Sequence, residues 1–250
     1  MKNILADEQH KTLLGFARQS VLLAFDFDGT LAPIVVNPEA AAMRQRTSRL
    51  LTQVAKLYPC AVLSGRSRKD VMAKVAAIPL RAVFGNHGME PSPNLRSWRR
   101  LATQWRAQLA AFLPDIPGVV IEDKGVSLAV HYRRAHARAA VHRLVLGAAA
   151  ELRGPRILEG KMVVNVLPAG APDKGTALMT LRKRLRCESA IYVGDDDTDE
   201  DVFALARREC LLGIRVGLSR RTQAAYFVPS QAAVDQLLVK LVEARRAGRV

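Results

Sequence analysis

Two aspartates, Asp26 and Asp28, directly follow the apolar run at 21–25 and are followed in turn by a Gly-Thr pair. An apolar run of this length, bounded by a turn signal, predicts a buried parallel strand. Open α/β sheets bind their ligands at the carboxyl ends of such strands. Carboxylates there can hold a hard divalent cation or attack an electrophilic phosphorus atom. Taken alone, the same residues are also compatible with an Asx-type turn.

Two further polar clusters stand at comparable positions along the chain. Ser64 and Arg66 follow the apolar run at 60–63, and Lys174 opens a predicted helix for which Asp173 is a plausible N-cap. A hydroxyl group and an ammonium group can hold a phosphoryl group in line with an attacking oxygen. Each cluster by itself is more typical of an ordinary turn or helix cap.

The most acidic stretch of the chain follows the apolar run at 190–193 and reads Gly-Asp-Asp-Asp-Thr-Asp-Glu-Asp over 194–201. Its six carboxylates repel one another strongly unless a counter-ion lies among them. The stretch therefore predicts a bound cation, and a solvated loop is the alternative explanation.

Hydrolysis of a phosphate ester would use all four clusters together. One carboxylate attacks phosphorus to form an aspartyl-phosphate, and a second protonates the leaving oxygen and later deprotonates the attacking water. A cation such as Mg²⁺ offsets the repulsion between the attacking carboxylate and a dianionic ester. Because all four clusters lie at strand ends or helix starts, this chemistry explains them better than unrelated turns and caps.

The elements that must position these clusters alternate between strand and helix, except in the middle of the chain. The alternation predicts a Rossmann-like α/β core with a parallel sheet, and the central helices and hairpins predict an inserted α+β domain. We predict the core over 1–89 and 169–250 and the insert over 90–168. Helical patterns lie at 4–19, 38–57, 68–76, 97–113, 135–152, 174–186, 199–208 and 231–246, and strand patterns at 21–25, 60–63, 82–84, 119–122, 127–133, 156–159, 161–167, 190–193 and 211–216.

The formal net charge of +15 suggests an anionic partner, which could be nucleic acid, a membrane surface or a phosphorylated substrate. The basic residues are scattered along predicted helices without a basic tail, so we expect neither a nucleic-acid nor a membrane partner. No apolar run approaches the roughly 20 residues that span a bilayer. We see no signal peptide, and three widely spaced cysteines give no disulfide pattern, so we predict a cytoplasmic location.

Together the clusters resemble the motifs of the haloacid-dehalogenase-like (HAD) phosphatases. Asp26-Phe-Asp28-Gly-Thr-Leu is similar to the first motif, Ser64 to the second and Lys174 to the third. Gly194-Asp195-Asp196 is similar to the fourth motif, and the insert occupies the position of a C2-type cap. Within this superfamily, the chain resembles the trehalose-6-phosphate phosphatases. That likeness rests on Ser64-Gly-Arg66, Gly85-Asn-His87-Gly-Met-Glu90, Glu122-Asp-Lys124, Val130-His-Tyr-Arg133, Leu158-Glu-Gly-Lys161-Met-Val-Val164 and the stretch 193–203.

The resemblance implies roles for the core residues. Asp26 would be the nucleophile and Asp28 the general acid and base. Ser64 and Lys174 would hold the phosphoryl oxygens. The implied Mg²⁺ ligands are Asp26, the backbone carbonyl of Asp28, and Asp195, with Asp196 and Asp199 supporting the metal shell.

The resemblance also implies a set of substrate-binding residues. Strand alternation puts Glu122 with Lys124 and His131 with Arg133 on shared faces, and charged groups suit the many hydroxyls of a disaccharide. Cross-strand ion pairing on an exposed sheet is the alternative. The family usually has Glu where this chain has Asn165, which keeps a hydrogen-bonding side chain without the charge. The full set is Arg66, Asn86, His87, Glu122, Lys124, His131, Arg133, Glu159, Lys161 and Asn165.

The implied function is Mg²⁺-dependent hydrolysis of trehalose 6-phosphate to trehalose and phosphate, with a functional link to a trehalose-phosphate synthase. Alternatives with the same chemistry are a sucrose-phosphate phosphatase, a mannosyl-phosphoglycerate phosphatase or a phosphomutase. A non-catalytic binding module that uses the basic surface is an alternative of a different class.

Overall fold

The computed structural model describes residues 1–207 and 210–248, which form two compact units. The first unit comprises Met1–Gly88 and Asp173–Val250, and the second comprises Met89–Pro172. Within the described residues, the first unit contains a seven-stranded parallel sheet and the second a four-stranded antiparallel sheet. The predicted fold class, an α/β core with an inserted α+β segment, is therefore confirmed.

The first unit begins with β1 (Lys2–Asn3), α1 (His10–Ala17), β2 (Val21–Phe25), α2 (Gln45–Leu57), β3 (Cys60–Leu63), α3 (Arg68–Lys74) and β4 (Ala82–Phe84). All five residues of β2 are buried, as its unbroken apolar sequence predicts. Two helices begin later than predicted. The helix expected from residue 4 begins at His10, after a short 3₁₀ helix at Asp7–Gln9, and Pro38 opens a separate short 3₁₀ helix well before α2.

The second unit contains α4 (Leu95–Phe112), β5 (Val120–Asp123), β6 (Leu128–His131), α5 (Arg138–Ala150), β7 (Pro155–Gly160) and β8 (Val163–Pro168). Its strands pair in the order β5-β6-β8-β7. Alternate residues of the two central strands are apolar and pack with side chains of both helices. This core includes Leu128, Val130, Val164, Val166, Trp105, Leu109 and Val145.

The chain returns to the first unit through α6 (Lys174–Arg184), β9 (Ser189–Gly194), α7 (Glu200–Phe203), β10 (Leu211–Val216), β11 (Tyr226–Val228) and α8 (Val234–Ala247). The helix predicted at 199–208 consists of α7 between two short 3₁₀ helices, and its last predicted residue lies outside the described residues. Sequence reasoning missed β1 and β11, which pair with each other at one end of the sheet.

The order of the large sheet is β1-β11-β10-β9-β2-β3-β4, so β2 lies between β9 and β3. The chain extends the sheet in one direction through β3 and β4, and in the other through β9, β10 and β11. Such a reversal of strand order opens a crevice at the carboxyl ends of the strands. None of the helices in the described residues is both long and apolar enough to cross a bilayer.

Candidate active site

The carboxyl ends of β2, β3 and β9 bring Asp26, Ser64 and Asp195 to the same edge of the sheet. The backbone N–H of Asp26 donates to the carbonyl of Val193 at 2.8 Å, which continues the strand pairing into the site. Gly29 has a φ of 81°, and a Cβ atom there would collide with the Asp195 carboxylate. The glycine is therefore required for the close approach of the loop after β2 to Asp195.

A buried lysine links the first carboxylate to the acidic stretch. Lys174 Nζ donates to Asp26 Oδ1 at 2.8 Å and to Asp199 Oδ1 at 2.7 Å. Asp199 also accepts from the Tyr192 hydroxyl at 2.6 Å and from the Asp196 backbone N–H at 2.9 Å. Both Asp199 oxygens are thus engaged by protein donors, and Asp199 positions Lys174 against Asp26.

Burial and charge together shift the protonation of these groups. Burial raises the pKa of Asp26 and the Asp199 and Asp195 carboxylates add to the increase, whereas Lys174 opposes it. Burial alone would lower the pKa of Lys174, but the carboxylates of Asp199 and Asp26 outweigh that effect and raise it. Burial and Asp199 also raise the pKa of Tyr192, so its hydroxyl remains a donor.

The buried carboxylates could also hold a cation. Asp26, Asp195 and Asp199 each offer an oxygen, and these oxygens lie within 4.8 Å of one another. Since the Asp199 oxygens are occupied by protein donors, Asp26 and Asp195 are the better candidates for direct ligands. Carboxylate oxygens are the donors that Mg²⁺ and Ca²⁺ prefer, so the residues fit such an ion.

The acidic stretch has a protein counter-ion that sequence reasoning missed. Arg215, buried on β10, donates through Nη1 to the Asp196 carbonyl and to Glu200 Oε1, both at 3.2 Å, and its Nη2 lies 3.8 Å from Asp197. Charge repulsion along the stretch therefore does not by itself require a bound cation. The sequence did contain a signal for this counter-ion, because Arg215 is a single charged residue in the otherwise apolar sequence of β10.

Asp28 and Arg66 form a bidentate ion pair. Arg66 Nε donates to Asp28 Oδ2 at 2.6 Å, and Nη2 donates to Oδ1 at 2.7 Å. The remaining Nη1 donates to Asp70 on α3 at 2.7 Å. These carboxylates outweigh the effect of burial and raise the pKa of Arg66. Arg66, predicted to bind substrate, thus orients the predicted acid and base.

The other predicted core residues pack around the loop after β3. The backbone N–H of His87 donates to the Ser64 carbonyl at 2.9 Å, and that of Asn86 donates to the Arg66 carbonyl at 2.7 Å. Asn86 and His87 have φ values of 48° and 58°, in the left-handed region, and both residues are buried. A Cβ atom at Gly65 would collide with the His87 ring, so that residue must be small.

In the second unit, four predicted residues share one face of the sheet. Strand register places Glu122 and Asn165 on either side of Ala129, and His131 lies two residues further along β6. His131 Nε2 is 2.7 Å from Glu122 Oε2, and Lys124 Nζ donates to Asn165 Oδ1 at 3.5 Å. Asn165 is buried and its amide also donates to the Leu158 carbonyl at 3.4 Å.

Of the remaining predicted residues of this unit, Glu159 lies on the opposite face, and Arg133 and Lys161 lie beyond the strand ends. Glu159 pairs in register with Val164 on the opposite face, where its carboxylate is 2.7 Å from His142 of α5. Arg133 and Lys161 are exposed at the strand ends, where the Arg133 guanidinium donates to the Lys161 carbonyl at 3.4 Å. The predicted set is thus divided by the two-residue alternation of the strand.

The chain shares its fold with phosphatases of the HAD superfamily. A phosphatase of this superfamily from Bacteroides thetaiotaomicron has the same fold, with a TM-score of 0.56 and 18% identity over 91% of this chain and 96% of that one. The C-terminal domain of the C. albicans trehalose-6-phosphate phosphatase superposes with a TM-score of 0.75 and 22% identity, over 94% and 96% of the two chains.

Sequence comparison identifies the family. The family model described as trehalose-phosphatase matches residues 24–232. The probable trehalose-phosphate phosphatase D of Arabidopsis thaliana is 30% identical, over 90% of this chain and 68% of the relative. The chain belongs to the trehalose-phosphatase family, and with it to the phosphoric monoester hydrolases. The resemblance seen in the motifs is confirmed.

Proposed function

We propose that this protein hydrolyses trehalose 6-phosphate to trehalose and phosphate, with Mg²⁺ held by Asp26, the Asp28 backbone carbonyl and Asp195. The observation that carries the proposal is the buried pairing of Asp26 with Lys174 beside Asp195 in a member of this family. We further propose that the first unit is the catalytic core and the second the specificity cap. A trehalose-phosphate synthase would supply the substrate, and the cytoplasm is the proposed location.

In the first step, the Asp26 carboxylate bonds to phosphorus while the bond from phosphorus to the sugar oxygen breaks. The products are an aspartyl-phosphate and a sugar alkoxide, which takes a proton from Asp28. Lys174, 2.8 Å from Asp26 Oδ1, orients the nucleophile, and with Ser64 it neutralises and holds the phosphoryl oxygens. A bound Mg²⁺ would offset the repulsion between the carboxylate and the dianionic ester.

In the second step, water attacks the phosphorus of the aspartyl-phosphate. Asp28, now a carboxylate, takes the proton from this water, and the bond between phosphorus and the Asp26 oxygen breaks to release phosphate. The hydrogen bonds from Arg66 to both Asp28 oxygens fix the orientation of this carboxylate.

For the sugar, we propose the shared face of the second unit that carries Glu122, Lys124, His131 and Asn165. These side chains already bond to one another in pairs, so their orientations are set before a ligand binds. The contact of Glu159 with His142 supports a structural role for Glu159 in this chain.

Phosphate release from a panel of sugar phosphates tests this proposal. With Mg²⁺ present, we expect trehalose 6-phosphate to be hydrolysed faster than sucrose 6-phosphate, mannosyl-phosphoglycerate and glucose 6-phosphate. A chelator should abolish turnover, and added Mg²⁺ should restore it. Equal rates across the panel would refute the sugar assignment, and full activity in chelator would refute the metal assignment.

The bidentate contact between Arg66 and Asp28 predicts the effect of Arg66→Lys. Lysine has a single donor nitrogen, so kcat for trehalose 6-phosphate should fall about 10- to 100-fold. The loss should be smaller for p-nitrophenyl phosphate, whose leaving group needs no proton. Steady-state kinetics on both substrates measures this, with Arg68→Lys, which bonds a backbone carbonyl, as the control. An equal loss on both substrates would contradict a role in proton transfer.

A further inference from the structure

The parallel strands of the first unit begin at the edge opposite the candidate active site, which we call the amino edge. The helices run in the direction opposite to the strands. α2 and α6 therefore end where the next strand begins, and α8, which follows β11, ends at the same edge. Six exposed basic side chains belong to these helix ends and to the loops beside them. They are Arg18, Lys56, Lys183, Arg184, Arg186 and Arg246, and together they are called the amino-edge patch.

Hydrogen bonds tie the end of α8 to the loop before β2. Arg245 Nη1 donates to the carbonyls of Arg18 at 3.3 Å and Gln19 at 3.1 Å. The same guanidinium lies 4.5 Å from the centroid of the Tyr58 ring, just after the end of α2. Arg18, Lys56 and Arg246 therefore belong to one continuous surface rather than to separate helix faces.

The loop between α6 and β9 completes this surface. The backbone N–H of Glu188 donates to the Ser20 carbonyl at 2.7 Å, and Arg182 Nη1 donates to the Glu188 carbonyl at 2.9 Å. Arg182 and Arg245 are thus used to satisfy backbone carbonyls, as basic side chains at helix ends often are. The six residues of the amino-edge patch are additional to these two.

The charge of the patch is largely uncompensated. Among the described residues, none of its six members forms an ion pair, and only two exposed acids, Glu188 and Glu243, lie on the same segments. The carboxylates of the first unit instead concentrate at the opposite edge, in Asp26, Asp28 and the stretch 194–201. The six side chains of the patch therefore present positive charge that can attract a polyanion.

We propose that the amino-edge patch binds the phosphate backbone of duplex nucleic acid without reading its sequence. An inserted amphipathic helix or a protein interface would need apolar anchors. The exposed large apolar side chains of the described chain all lie on other segments. No exposed aromatic side chain is available in these segments to stack on single-stranded bases. Lysine and arginine contacts to phosphate need neither apolar anchors nor exposed aromatic rings.

This proposal revises the expectation of no nucleic-acid partner. That expectation rested on basic residues being scattered along the sequence, from residue 18 to residue 246. The parallel topology gathers them, because it places helix ends that are distant in sequence at one edge of the sheet.

Fluorescence anisotropy of a short labelled DNA duplex titrated with the full chain tests the proposal. If all six residues contact phosphates, the slope of log K against log salt should be about −5. The triple variant Arg184→Gln, Arg186→Gln, Arg246→Gln should bind more weakly and bring the slope to about −2 to −3. Its phosphatase activity should equal that of the wild type, which shows that the core is intact.

The matched control removes the same charge from α4 in the second unit, as Arg96→Gln, Arg99→Gln, Arg100→Gln, and should keep the wild-type slope. An equal loss of binding in this control would overturn the proposal. So would the absence of salt-dependent duplex binding at low salt. Tighter binding to phosphatidylserine vesicles or to polyglutamate than to the duplex would likewise overturn it. None of these outcomes bears on the sugar phosphate that the protein hydrolyses.

Discussion

Asp26→Asn should lower kcat by about four orders of magnitude or more, because an amide cannot serve as the attacking carboxylate. Its carbonyl oxygen can still accept the 2.8 Å hydrogen bond from Lys174, and Asp199 remains as the counter-ion of that lysine. Since burial raises the pKa of Asp26, a neutral isostere removes a cost of desolvation. We therefore expect the unfolding temperature of the metal-free variant to be maintained. Phosphate release and thermal unfolding measure the two effects.

Asp235→Asn is the matched control, since Asp235 is also a buried aspartate of the first unit but lies outside the site. Its carboxylate accepts from the Thr47 hydroxyl at 2.7 Å and lies 3.2 Å from Arg44. This variant should lose stability and keep its kcat. Turnover by Asp26→Asn at a rate near that of the wild type would refute Asp26 as the nucleophile.

Lys174→Met should destabilise the first unit by about 3–5 kcal/mol, because it leaves Asp26 and Asp199 buried without their shared counter-ion. That is a large part of the 5–15 kcal/mol by which domains are typically stable. Burial raises the pKa of Asp26 above its unfolded value even with Lys174 opposing the increase, and loss of the lysine removes that opposition. The variant should therefore gain stability as the pH falls from neutrality toward about 4. Denaturant titration across this pH range, without added metal, measures the effect.

Lys183→Met on the same helix is the control, since Lys183 is exposed, and it should change the free energy of unfolding by at most about 0.5 kcal/mol. The double variant Lys174→Met, Asp199→Asn should recover part of the lost stability, because one buried charge is removed with its partner. It also keeps the test informative if Lys174→Met alone fails to fold. Equal stability of the Lys174 and Lys183 variants would contradict the proposed ion pairing.

Local patterns in the sequence were enough to predict which edge of the sheet carries the candidate site. The unbroken apolar runs of β2, β3 and β9 predict buried parallel strands, and parallel strands place their carboxyl ends together. Asp26, Ser64 and Asp195 therefore meet at one edge whatever the remaining details of the fold. The pattern also predicted Lys174 at the start of a helix, where it does lie.

Elements without a local signal were missed or misplaced. β1 and β11 are two and three residues long, too short for periodicity to mark them. β1 is defined by its pairing with β11, and β11 by its pairing with β1 and β10. The predicted substrate-binding side chains of the second unit are divided between two faces of its sheet, and this division likewise depends on strand register. Moving by one residue along β7, from Leu158 to Glu159, changes which face the side chain occupies.

The sequence by itself thus determined the fold class and the carboxylates at the edge of the sheet, because strand periodicity and parallel pairing are local or topological properties. Only the tertiary structure decided how those carboxylates are neutralised and held. Arg66 reaches Asp28 across 38 residues of sequence, and Lys174 reaches Asp26 across 148. Ion pairs over such separations leave no periodic trace in the sequence, since they depend on where the backbone brings each side chain.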